Sequence, residues 1–182
     1  ARHYGVTVGD RVNVEPYILC GRCRYCLSGY YQFCTRSKIY GVNISCGQPP
    51  HLWGAYGEYL YGAPGAKVHK IDPAVSDEAA ALSSVLGNGV RWIRTKARVK
   101  FGESVLVLGA GAQGLATVIA ASEAGAEPII VVGREANPLK WELAREFGAH
   151  HLLDLEQGVD ALAGVQEITA GRMADVVVEC TG

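Results

Sequence analysis

The chain has 182 residues, 49% hydrophobic and 19% charged, with a formal net charge of -1. Such a composition belongs to an ordinary globular protein with enough apolar material for a core, so its six cysteines are not needed as the main staple. The near-neutral charge removes the electrostatic case for nucleic acid or an anionic membrane, and no apolar run approaches the ~20 residues that span a bilayer; neither partner is expected. The first residues, Ala1-Arg2-His3-Tyr4-Gly5-Val6, carry no initiator Met, apolar h-region or export signature. The chain therefore reads as cytoplasmic or as missing its start, a setting in which clustered cysteines point to metal rather than disulfides.

Val12 and Val14 alternate with polar residues, as do stretches of Ala55 to Tyr61 and Ala66 to Ile71, which predicts short strands in a β-rich first third. Gly41 to Trp53, containing Gly47-Gln-Pro-Pro50, reads as a loop. Ser76-Asp-Glu-Ala-Ala-Ala-Leu82 offers an N-cap and an acidic first turn, so a helix starts there. Gly87-Asn-Gly89 is expected to interrupt it, with a basic helical segment resuming over Val90 to Arg98. From Ser104 onward strands and helices alternate. Strands are predicted at Val105 to Leu108, Ile129 to Val132, His151 to Leu153 and Val176 to Glu179, with helices at Gln113 to Ala124, Leu139 to Phe147 and Val159 to Thr169. Apolar strands separated by helices imply a parallel sheet covered on both faces. Four strands are fewer than the six of a complete dinucleotide-binding sheet, so the second half reads as incomplete.

Gly109-Ala-Gly111-Ala-Gln-Gly114 is a G-x-G-x-x-G directly after one of these strands and opening a helix. Its first glycine permits the tight turn, the second lets a pyrophosphate approach the backbone, and the third lets helix and strand pack closely. The amides of Ala112, Gln113 and Gly114 are the candidate phosphate donors at the helix N-terminus. A glycine-rich turn that binds nothing is the alternative. At the end of the next strand, where an acid would bond the ribose of NAD, the chain reads Gly133-Arg134-Glu135. Gly133 removes the acid and Arg134 supplies a cation for a 2′-phosphate, which favours NADP over NAD. Glu135 could instead pair with Arg134 or take the ribose role, and Arg134 could be an exposed loop charge.

Cys20, Cys23, Cys26 and Cys34 stand at spacings that bring four thiolates within reach of one ion. Four sulfurs around Zn²⁺ close the coordination sphere, so the site organises a loop and leaves no position for substrate. An iron–sulfur cluster is the competing reading, although the last spacing of seven residues and Thr35 after Cys34 depart from the ferredoxin pattern. Cys46 and Cys180 lie outside the spacing and are expected to be free buried thiols. His51 reads as a loop histidine, with a proton relay as the alternative. His69 reads as part of a solvated strand face, and His150 and His151 as the start of a strand. The run Arg91, Arg94, Lys96, Arg98 and Lys100 reads as a solvated helix face rather than a nucleic-acid surface, because the net charge is near zero. Tyr30 and Tyr31 either pack the cysteine loop or line a subunit contact.

Val8-Gly9-Asp10-Arg11-Val12, the Cys20 to Cys34 loop, Gly54-Ala-Tyr-Gly-Glu-Tyr59, Leu108 to Gly114 and Phe147-Gly-Ala-His-His-Leu-Leu-Asp154 together resemble the zinc-containing medium-chain alcohol dehydrogenase family over nearly the whole chain. The resemblance implies an α/β chain in which a partial GroES-like β-barrel domain, residues 1–75 with the zinc loop at 20–34, precedes a partial Rossmann domain, residues 76–182. It also implies hydride transfer between an alcohol or polyol and nicotinamide, with a separate catalytic zinc polarising the oxygen. In the family the first ligand of that zinc and a His-Glu pair lie upstream of the Val8 to Val12 segment. The third ligand, a Cys, Asp or Glu, falls where this chain has Ser84, and a neutral serine is a poor zinc ligand. No catalytic zinc is therefore expected in this chain, its catalytic residues stay unassigned, and the isolated chain is expected to be inactive. Ser84 and Asn88 stand where the family places its third ligand and groups near the nicotinamide.

The expected partner is a small-molecule alcohol or carbonyl substrate, and a homo-oligomeric parent is expected. Two further readings stay open: a zinc-independent NADPH-dependent carbonyl or double-bond reductase, and a non-catalytic nucleotide-binding protein.

Overall fold

The structure, a computed structural model, describes residues 4–134 and 137–181, so Glu135 lies outside the described residues. The chain divides into two compact units, Ala1–Ala81 and Leu82–Gly182. In the first, strand β1 (Val12–Ile18) takes β2 (Lys38–Ile39) on one side and β3 (Ala66–Lys70) on the other, both antiparallel. The result is an open three-stranded sheet rather than a closed barrel among the described residues. Ile18, Ile44, Trp53, Ala63 and Ala66 form its small core. The loop from Gly41 onward wraps Trp53, whose indole N–H donates to Gln48 O at 3.0 Å and whose ring meets Tyr61 edge-on at 5.2 Å. The Tyr40 hydroxyl closes that wrap, donating to Tyr61 O at 2.7 Å and accepting from Ala63 N at 2.9 Å.

Two expectations for this unit fail. Ala55 to Tyr61 alternates like a strand but forms a chain of bends, with Tyr56 and Tyr59 exposed. Aromatic side chains favour strands only when a neighbour supplies the ladder, and among the described residues the one backbone bond donated from this stretch is Tyr61 N to Leu52 O. Cys46, expected to be buried, is exposed. It sits on the surface loop, where a residue's average burial preference carries little weight.

Helix α2 (Asp77–Ala81) closes the first unit, capped by Ser76 Oγ on Ala79 N at 3.2 Å. Arg11 Nη2 to Asp77 Oδ1 at 2.6 Å and Asn13 Nδ2 to Ala80 O at 3.2 Å hold it to β1. The second unit begins with α3 (Ser83–Val90), which continues as a π-helical segment, Arg91–Ala97. The expected break at Gly87-Asn-Gly89 is thus misplaced, since the helix runs through it. Gly89 is there for packing: a Cβ at that position would overlap Ala116 O and Ala116 C of helix α4 (Ala112–Glu123). Glycine lets the two backbones touch, which outweighs its roughly 1 kcal/mol cost in helix propensity.

Strands β4 (Val105–Leu108), β5 (Ile129–Gly133), β6 (His151–Asp154) and β7 (Val176–Glu179) form a parallel sheet in the order β6-β5-β4-β7. Val105, Val107, Ile129 and Val131 are fully buried at its centre. Cover on both faces holds for β5, buried throughout, but not for β7, where Val177 is exposed. Helices α5 (Pro138–Glu146) and α6 (Ala161–Ile168) are capped by Asn137 and Asp160, whose side chains accept from first-turn amides. His150 Nδ1 accepts from Ile129 N at 3.0 Å, tying the entry of β6 to the start of β5.

Asp175 ties the entry of β7 to β4 in the same way. Its Oδ2 accepts from the amide of buried Ser104 at 2.8 Å and from the Ser104 hydroxyl at 2.6 Å, and these bonds hold its carboxyl below the ordinary value of 3.8. A carboxyl depressed in the folded state contributes stability above its unfolded pKa and loses it as pH falls through the folded value. Ser104→Ala should therefore destabilise the chain in urea titrations at about pH 7, and the deficit should shrink by about pH 2, below the ordinary carboxyl range. A deficit independent of pH would remove the carboxylate from the explanation.

Candidate functional site

Among the described residues, each unit carries a candidate site. In the first, the short helix α1 (Arg24–Leu27) is N-capped by Cys23, and a 3-10 turn, Tyr31–Phe33, delivers Cys34 at its end. Cys20 Sγ lies 3.8 Å from Cys26 Sγ, and Cys23 Sγ 3.5 Å from it; all four sulfurs fall within 4.8 Å of one another. A zinc–sulfur bond of about 2.3 Å in a tetrahedron needs sulfurs about 3.8 Å apart, so the four fit one ion. The body of a multi-iron cluster would hold them further apart.

The backbone prepares the thiolates. Hydrogen bonds from the Arg22 and Cys23 backbone pull the Cys20 thiol down to about 6, and the Cys26 backbone lowers Cys23. Desolvation, with the neighbouring sulfurs, pushes Cys26 up to about 12. A divalent cation would reverse that last effect by supplying the missing positive charge. Around the loop, Tyr31 packs against Tyr17, ring centroids 6.5 Å apart, and Lys67 Nζ sits 3.8 Å above the Tyr31 ring. Tyr30 is exposed.

In the second unit the chain leaves β4 for β5 on one side and reaches β7 on the other, so the sheet changes direction at the carboxyl end of β4. Ligands of open parallel sheets bind at such a point. A cavity of about 500 Å³ opens there, lined by Gly109, Gly111, Gly133, Arg134, Leu155 and Glu179 among others. Gly109 has φ +100°, and a Cβ on it would meet Cys180 O and Thr181 Cγ2 at 3.1 Å. Gly111 caps α4, and Leu115 N bonds Gly111 O at 2.9 Å. Helix geometry therefore leaves the amides of Ala112, Gln113 and Gly114 without intrahelical acceptors. Gly133 ends β5, and Arg134 is exposed on the cavity wall.

Several features were not legible beforehand. The end of β7 supplies Glu179, Cys180 and Thr181 to the cavity, although nothing in the sequence says that β7 lies beside β4. The Glu179 carboxylate is held below its ordinary range by the Thr181 hydroxyl, 2.6 Å away, and by the Thr181 amide. Cys180, expected to be buried, is half-buried; desolvation raises its pKa, and its thiol lies 3.6 Å from Thr117 Oγ1. Asn88 Nδ2 donates to Gln113 Oε1 at 3.4 Å, bringing α3 to the glycine-rich turn. Ser84 is exposed on α3. Of the histidines, His51 bonds Cys46 O through Nδ1 at 2.9 Å and His69 pairs with Glu15 at 2.9 Å. Arg94, Lys96, Arg98 and Lys100 are exposed, as on a solvated face. Among the described residues no helix is long and apolar enough to cross a membrane.

A four-thiol clamp followed by a glycine turn at the switch point of a parallel sheet is the architecture of the zinc-type dehydrogenases. Residues 1–73 match the alcohol dehydrogenase GroES-like domain, and residues 112–182 match the zinc-binding dehydrogenase family. The chain is 40% identical over 186 residues to a probable alcohol dehydrogenase of Mycobacterium tuberculosis, covering 99% of this chain and 49% of that protein. It is 35% identical to an L-threonine 3-dehydrogenase of Pyrococcus abyssi, covering 98% and 47%. A crystal structure of an alcohol dehydrogenase from Thermotoga maritima superposes with a TM-score of 0.84 at 28% identity, covering 97% of this chain and 49% of that one. The chain belongs to the zinc-type medium-chain alcohol dehydrogenase family and spans about half the length of the curated relatives it matches. Its fold is a GroES-like β-rich region followed by a Rossmann-like α/β region.

Proposed function

We propose that the chain is the nucleotide-binding and metal-clamped part of an NADP-dependent alcohol or polyol dehydrogenase. The observation that carries this reading is the cavity at the sheet's switch point, lined by the glycine turn that leads into α4 and by Arg134. When bound, the nicotinamide cofactor accepts or returns the hydride of the alcohol carbon. The chain's own residues bind and orient: Gly109 and Gly111 admit the pyrophosphate, and the amides of Ala112, Gln113 and Gly114 donate to it. Arg134 pairs with the 2′-phosphate. Cys20, Cys23, Cys26 and Cys34 hold a structural Zn²⁺ that stiffens the loop without touching substrate.

The test is calorimetric titration with NADP and NAD. The intact chain should bind NADP more tightly, and Arg134→Asp should weaken NADP by about tenfold or more, the worth of a charge-assisted bond. An unchanged NADP/NAD ratio would sink the role of Arg134. Ser84 favours a second reading, a zinc-independent carbonyl or double-bond reductase, because the family's third ligand position carries a neutral hydroxyl. Turnover by the full-length protein that survives dialysis against a chelator supports the reductase; turnover lost with the metal supports the zinc-dependent dehydrogenase.

A further inference from the structure

We infer that Trp141, which no motif marks, is a specificity-determining residue of the glycine-turn cavity, because it keeps position 133 without a side chain. The inference rests on the NADP reading and deepens it. Gly133 is the last residue of β5, paired in parallel register with Asp154, and its φ is not among the positive values found at twelve other glycines. Its backbone would therefore accept any residue, and conformation does not explain the glycine.

Space does explain it. A Cβ at position 133 would lie 3.3 Å from Trp141 Cη2 and 3.8 Å from Cζ2, with Ala110 N at 3.6 Å. Carbon atoms prefer separations of about 3.5–4.0 Å, so even the first atom of a side chain presses on the indole. Trp141 cannot turn away freely. It lies on α5, one turn before fully buried Ala144, and packs against the core of the second unit. A carboxylate at position 133, which an NAD site would use on the ribose, would also stand against the Cη2 and Cζ2 edge of the indole, whose carbons offer it no hydrogen bond.

The acids at the neighbouring strand ends are engaged within their own turns. Asp154, the register partner of Gly133, spends Oδ1 on Glu156 N at 3.0 Å and Oδ2 on Gln157 Nε2 at 3.2 Å. Glu179, at the end of β7, accepts from the Thr181 amide and hydroxyl, both on Oε1. Trp141 thus crowds the acid that would read a free ribose hydroxyl, and Arg134 is the charged side chain at the end of β5.

A double-mutant cycle tests the inference, with 5′-AMP and 2′,5′-ADP as probes that share an adenosine and differ by the 2′-phosphate. Gly133→Asp in the intact chain should raise affinity for 5′-AMP by less than about threefold, whereas the same change on Trp141→Phe should raise it by about tenfold or more, within the range of coupling between touching residues. Equal gains on the two backgrounds overturn the role of Trp141. Equal affinity of the unsubstituted chain for the two probes overturns the NADP reading instead, and the cycle still reads the coupling. Failure of every variant to bind either probe removes the nucleotide site and the inference with it. Thermal melts check folding, and Gly133→Ser on both backgrounds supplies the same comparison if aspartate prevents it.

Discussion

Gly114→Ala is expected to abolish NADP binding and to lower the unfolding free energy by about 3 kcal/mol, the upper end of ordinary overpacking. A Cβ at Gly114 would overlap Gly109 O, a backbone atom that no rotamer change can move aside, with Val107 Cγ1 behind it at 3.5 Å. The turn has to open, and the α4 amides move with it. Gly111→Ala is the informative contrast. A Cβ there meets nothing within 4 Å, and φ is -75°, so the variant should melt as the unsubstituted chain does. Its methyl would nevertheless occupy the path by which a pyrophosphate approaches the backbone. Melting curves and calorimetry on both variants separate the two roles: loss of binding in both, loss of stability in Gly114→Ala alone. Retained binding in Gly111→Ala would refute the phosphate reading of the turn.

Cys26→Ser should reduce bound zinc from about one ion per chain to near zero after dialysis against a mild chelator. Cys26 contacts both Cys20 and Cys23, and losing a ligand should exceed the roughly 10–100-fold that loss of a second-shell partner costs in metal affinity. The loop between Cys20 and Cys34 should become open to proteolysis, while NADP binding in the second unit persists. Metal analysis and limited proteolysis read both effects. Iron–sulfur absorbance in the visible, or no metal at all in the unsubstituted chain, would overturn the assignment. Acidification should release the ion as the thiolates take up protons, because ligand and proton compete for the same lone pairs.

Local chemistry was legible where it is short-range. The cysteine spacing picked out the four thiols that come together, and the glycine triplet placed a turn and a helix start within one stretch of chain. Gly89 shows where that reasoning stops. A glycine in a helical pattern reads as a break, yet here it is the contact point of two helices, and only the position of Ala116 reveals it. Gly133 is similar: in sequence it is a missing acid, and in the fold it is a residue pressed by Trp141, eight positions on. Ala55 to Tyr61 had the alternation of a strand but no ladder to join. The cysteine spacing and the parallel α/β pattern with its glycine turn were determined by the sequence itself, because each depends on residues close in the chain. Which strand lies beside β4, which glycines separate touching backbones and which thiols are exposed were decided by tertiary structure alone, because these depend on atoms that come together only when distant segments pack.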